Sequence, residues 1–62
     1  MENHIAEMRK KAGMTQEQLA RTLGVAREQV SDWERGVRIP SVLTALEIAR
    51  TLNCRVEDLF TL

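Results

Sequence analysis

The chain has 62 residues, 44% hydrophobic and 29% charged, so it can build one small folded domain (residues 1–62), and its nine basic and nine acidic side chains balance, which excludes attraction to an acidic polymer by net charge alone. A single cysteine, Cys54, and a single histidine, His4, exclude an internal disulfide and a metal site, and fit a reducing cytoplasm. No apolar run approaches the roughly 20 residues of a membrane helix, the opening MENHIAEMRKK lacks the apolar core of a signal peptide, and two aromatics, Trp33 and Phe60, are too few for a base-stacking platform.

A first helix is expected from about Asn3 to Ala12. Asn3 supplies the cap, and Ile5, Met8 and Ala12 share the inner face. Arg9, Lys10 and Lys11 crowd the last turn, where positive charge complements the helix dipole. Phosphate contact by Lys10 or Lys11 is the sharper alternative. Gly13 ends the helix. A second helix follows over about Gln16 to Leu23. Thr15 caps it and Gln18, three residues on, completes a capping box. Leu19, Ala20 and Leu23 fall on one side, and Gly24 marks a left-handed turn. Thr15 and Gln16 lie beside unpaired backbone N–H groups, where an anion such as a phosphate can sit.

The pattern restarts over about Arg27 to Arg35, with Ala26, Val30 and Trp33 inward. At about 100° per residue, Arg27, Glu28, Ser31, Asp32 and Arg35 share an outward arc. Gly36 to Ser41 is a loop whose cation, Arg38, is a natural phosphate anchor. Ser41 caps a fourth helix that runs to about Leu52, with Val42, Ala45, Leu46, Ala49 and Leu52 as its expected buried stripe and Leu43 outside it. Asn53 is a C-cap. Cys54 is expected to pack rather than react. Val56 to Phe60 forms a short last helix, with Glu57 and Asp58 in its first turn and Leu59 and Phe60 closing the core.

The stretch Met14 to Gly36, MTQEQLARTLGVAREQVSDWERG, is thus two short helices about a tight turn. Ala20 is small where the helices cross, Gly24 turns the chain, and Val30 and Trp33 point inward. With TQEQLA, WERG and the following IPS, this stretch resembles the phage repressor and Cro family of helix-turn-helix DNA-binding domains. The resemblance runs from about Ile5 to Phe60. It implies an all-α fold of five short helices, with the second and third forming the motif.

The resemblance implies sequence-specific binding of double-stranded DNA by a transcriptional regulator, more often a repressor, encoded by a bacterium or phage. The third helix would enter a major groove. Arg27 can donate two parallel bonds to guanine, Glu28 can accept from cytosine N4, and Ser31 can reach a phosphate or a base methyl. Asp32 departs from the Lys, Gln or Arg that similar sequences often carry. It reads a cytosine, orients Arg27 or Arg35, or weakens binding. Ala26 and Arg55 stand where Ser caps would be expected. Thr15, Gln16, Arg35 and Arg38 are the phosphate candidates. The resemblance pairs Arg9 with Glu34 as a structural ion pair. It also implies a weak or DNA-assisted homodimer, for which Leu43, Cys54, Arg55, Val56 and Glu57 are the candidate surface. The neutral charge and the acids of the third helix leave a protein-binding module, such as an antitoxin or co-regulator, as the alternative. An enzyme is not expected, because no nucleophile–base pair or phosphate loop is present, and no cofactor is implied.

Overall fold

The computed structural model describes residues 1–62 as β1 (Glu2–Asn3), α1 (Ile5–Lys11), α2 (Gln16–Leu23), α3 (Arg27–Glu34), α4 (Val42–Thr51), α5 (Val56–Leu59) and β2 (Phe60–Thr61). The five expected helices are present. The two-residue strands were not foreseen. They pair antiparallel, Glu2 opposite Thr61 and Asn3 opposite Phe60, and the His4 N–H donates to the Leu59 carbonyl at 2.7 Å. Asn3 is therefore strand rather than helix, and α1 begins at Ile5. Its side chain still serves the helix start: Oδ1 accepts from the Ile5 N–H at 2.9 Å, while the amide donates to the Trp33 carbonyl.

The helix ends follow local chemistry. Thr15 and Gln18 form the reciprocal capping box, at 3.0 and 2.8 Å. Gly24 closes α2 at φ 73°, and the next N–H, of Val25, donates back to Ala20 at 2.9 Å. That left-handed residue followed by a long back-bond is the Schellman ending. It recurs after α4, where Asn53 takes φ 56° and the Cys54 N–H reaches the Ala49 carbonyl at 2.9 Å. α3 lacks a capping side chain. Gln29 Oε1 compensates in part by accepting from the Ala26 N–H at 3.2 Å. Likewise Asp58 Oδ2 accepts from the Arg55 N–H at 2.9 Å at the start of α5.

Ile5, Leu19, Val30, Ile48 and Leu59 are wholly enclosed, and Ala20, Trp33, Ala49 and Leu52 fill the space between them. Each of α1 to α5 gives at least one residue to this core, so α2 and α3 are braced from behind by the other three. Four residues expected inside lie outside. Ala26 is exposed because it is a cap with extended backbone, φ −77° and ψ 149°, that leaves the helical wheel, and Ala12 is exposed at the C-terminal end of α1, where it is the cap. Val42 and Leu46 are 78% and 52% exposed, because α4 turns Ala45, Ile48 and Ala49 to the core instead.

Candidate nucleic-acid interface

α3 has eight residues, about 12 Å of helix at 1.5 Å per residue. Val30 and Trp33 anchor it in the core, which fixes which side faces out. Arg27, Glu28 and Arg35 are exposed; Ser31 and Asp32 are half-buried on the same side. An α-helix with its side chains is about 10–12 Å across, which fits a B-DNA major groove about 12 Å wide.

Behind this face runs a chain of polar contacts. The Arg9 guanidinium meets Glu34 through Nε at 2.6 Å to Oε2 and through Nη2 at 3.3 Å to Oε1. Arg9 Nη1 also donates to the Met14 carbonyl at 2.7 Å, so α1 holds the loop that leads into α2. Both partners are nearly enclosed, and each is met by more than one hydrogen bond, the condition under which a buried ion pair is tolerated. Glu34 Oε1 accepts a further bond from Gln16 Nε2 at 2.9 Å, and Gln16 Oε1 accepts from Arg27 Nη1 at 3.3 Å. Gln16 and Arg27, read separately in the sequence, are thus brought together, 11 residues apart. The link from Gln16 to Glu34 spans 18 residues, and no local signal announces it. Thr15 Oγ1 accepts from the Gln18 N–H as a cap, which leaves its hydroxyl hydrogen free to donate outward.

At the other end of the helix, Asp32 Oδ1 stands 3.1 Å from Arg35 Nη2 and Oδ2 3.7 Å from Arg38 Nε. Of the expected alternatives for Asp32, this geometry links it to Arg35 and not to Arg27. Arg38 sits in the loop after α3, and that loop is folded back by main-chain bonds from Val37 and Arg38 to the Asp32 carbonyl, at 2.9 and 3.3 Å. One cationic surface therefore runs from Arg27 at the start of α3 to Arg35 and Arg38 beyond its end, with Glu28 and Asp32 set within it.

The profile of the helix-turn-helix family, Cro/C1 type, matches residues 5–59. The chain belongs to the helix-turn-helix family. This helix-turn-helix protein is 50% identical over 60 residues to an uncharacterized HTH-type transcriptional regulator of Archaeoglobus fulgidus, covering 97% of this chain and 86% of that one. It is 40% identical over 62 residues to the uncharacterized HTH-type transcriptional regulator YgzD of Bacillus subtilis, covering 100% and 94%. Among solved structures it is similar to the restriction-modification controller protein C.AhdI from Aeromonas hydrophila, with TM-score 0.83, 35% identity and 92% and 86% of the two chains covered. It is also similar to SinR, the master regulator for biofilm formation, in complex with DNA, with TM-score 0.78, 29% identity and 87% of each chain covered.

The helix-turn-helix protein has a second distinctive surface. Ile39, Val42, Leu46, Cys54, Val56 and Phe60 line an open apolar groove of about 800 Å³ along α4 and α5. Arg55 and Glu57 stand at its border, so four of the five dimer candidates meet here; Leu43 is exposed but lies outside the groove. Val42 and Leu46, expected in the core from their spacing, line this groove instead. Burial and the nearby Asp58 carboxylate push the Cys54 thiol above the usual cysteine range, which favours the unreactive protonated form. No helix is long and apolar enough to cross a membrane.

Proposed function

We infer that this chain is a DNA-binding transcriptional regulator, acting as a repressor, that lays α3 in the major groove of duplex DNA. The observation that carries the reading is the outward side of α3, which bears Arg27, Glu28, Ser31 and Asp32 while Val30 and Trp33 fasten the opposite side to the core. Arg27, steadied by Gln16, reads guanine; Glu28 and Ser31 complete the base-facing set, and Asp32 stands beside them as the partner of Arg35 and Arg38. Thr15, Gln16, Arg35 and Arg38 fix the register on phosphates. The names of the relatives and the DNA bound in the SinR structure support this reading. The role is recognition rather than catalysis, performed by residues 1–62 as one domain in the cytoplasm.

Two copies act together. Half-sites one DNA turn apart are about 34–36 Å from centre to centre, and the longest extent of this chain is 28 Å, so one copy serves one groove face. The apolar groove along α4 and α5 is where a second copy packs. That pairing is weak in solution and completed on DNA, where adjacent half-sites hold the two copies together.

The test is titration of the protein into a fluorescently labelled duplex at several salt concentrations. Affinity should fall with salt at a log–log slope of about −0.9 for each phosphate neutralised. Affinity absent at low salt would overturn the reading and favour a partner protein on the groove.

A further inference from the structure

We propose that Asp32 is a specificity-determining residue: its carboxylate gathers Arg35 and Arg38 into one clamp and lowers the clamp's charge, so that sequence-blind attachment to DNA is weakened more than attachment to the correct site. The proposal rests on the reading that this surface meets duplex DNA. Three observations carry it. First, one carboxylate serves both guanidinium groups, through different oxygens, at 3.1 and 3.7 Å. Second, the carboxylate is tucked beneath its partners: the Asp32 side chain is 27% exposed, against 65% for Arg35 and 67% for Arg38. The outermost groups are thus the cations, positioned to meet a phosphate, with the neutralising charge behind them. Third, the loop carrying Arg38 is also held by main-chain bonds from Val37 and Arg38 to the Asp32 carbonyl, at 2.9 and 3.3 Å. The course of the loop therefore does not rest on the carboxylate alone.

Stability does not account for an acid at this place. Exposed ion pairs contribute little to folding, and Glu28 and Asp32 are like charges four apart on a helix, which is mildly unfavourable. Electrostatics on DNA accounts for it better. Sequence-blind binding depends on how many phosphates a surface neutralises. Two arginines and one aspartate present one net positive charge where the arginines alone present two. At the correct site, base contacts fix the register, so two arginines already held in place meet defined phosphates with less freedom to lose, which offsets part of the lost charge; on random DNA the register is not fixed and that offset is smaller. The same carboxylate therefore costs more on random DNA than on the preferred sequence.

The experiment compares wild type with Asp32→Asn and Asp32→Ala on two duplexes: one of mixed sequence, and one selected by the wild-type protein from a random library. Circular dichroism first establishes that the variants are folded. On the mixed duplex, both variants should bind about eightfold more tightly at 0.1 M monovalent salt, with a slope steeper by about 0.9, the effect of one added phosphate contact. On the selected duplex the gain should be smaller, so the ratio of the two affinities falls. An unchanged slope, or an equal gain on both duplexes, overturns the proposal. So does a loss confined to one base pair of the selected site, since Asp32 would then be reading that base. If wild type shows no salt-dependent binding to either duplex, the DNA reading itself fails and the proposal with it. If wild type binds and the variants match it within twofold, only the proposal fails.

Discussion

Glu34 uses both of its carboxylate oxygens inside the protein, one on Arg9 and one shared between Arg9 and Gln16. Removing it strands a nearly enclosed guanidinium, and breaking such a pair costs about 3–5 kcal/mol. A domain of this size has only roughly 3–9 kcal/mol in total, at about 0.05–0.15 kcal/mol per residue. Glu34→Ala should therefore lose a large part of its stability in urea denaturation, with the m-value little changed. Arg27 poses the opposite case. It is exposed, and its only intramolecular tie is the 3.3 Å bond to Gln16. Arg27→Ala should leave the urea midpoint nearly unaltered, weaken binding to the preferred DNA by about 1–3 kcal/mol, and relax the choice of base at one position. Competition binding with single-base variants of that DNA checks this. Unchanged discrimination at every position would mean that α3 does not read through Arg27.

At the scale of elements, the turn between α2 and α3 sets the angle at which the outer side of α3 is presented. Gly24 takes φ 73°, and a Cβ placed there would meet nothing within 4 Å. The cost of Gly24→Ala is thus purely one of backbone, about 1–2 kcal/mol. For a chain this short, each kcal/mol lowers Tm by about 4–8 °C. Thermal denaturation followed by circular dichroism should show that shift without loss of helix content at low temperature. The helices themselves were legible because their signals are local: Thr15 with Gln18, Ser41 before α4, and Gly24 or Asn53 where a left-handed residue is needed. What escaped had no local signal. Two-residue strands are too short for an alternating pattern, and the bond from Gln16 to Glu34 joins elements distant in sequence. α4 misled for a different reason. It is apolar on two sides, Ala45 with Ile48 and Ala49 facing the core and Val42 with Leu46 facing the groove. Periodicity marks apolar residues but not which neighbour covers them. On α3 the outward arc was legible because Val30 and Trp33 leave its polar residues no other side. The pairing of Asp32 with Arg38 was not, because it depends on how the loop after the helix folds back.

At the scale of the whole molecule, the two surfaces are on different elements. The base-facing side belongs to α3, and the apolar groove to α4 and α5. Leu46→Asp places a charge in the groove at a residue already 52% exposed, so the fold should tolerate it. Sedimentation equilibrium should show any self-association of the wild type abolished. Binding to a two-half-site duplex should become shallower, while affinity for a single half-site stays within about twofold. Undiminished steepness would move the pairing surface elsewhere.

The ribbon of β1 and β2 has a consequence of its own. Because Glu2 lies opposite Thr61, the first and last residues of the fold are stitched side by side. A short linker could join them, and the ring could be reopened at an exposed loop to give a circular permutant. Anything fused to either end would also emerge from the same spot, so two different attachments, one at each end, would crowd each other before they reached the rest of the surface.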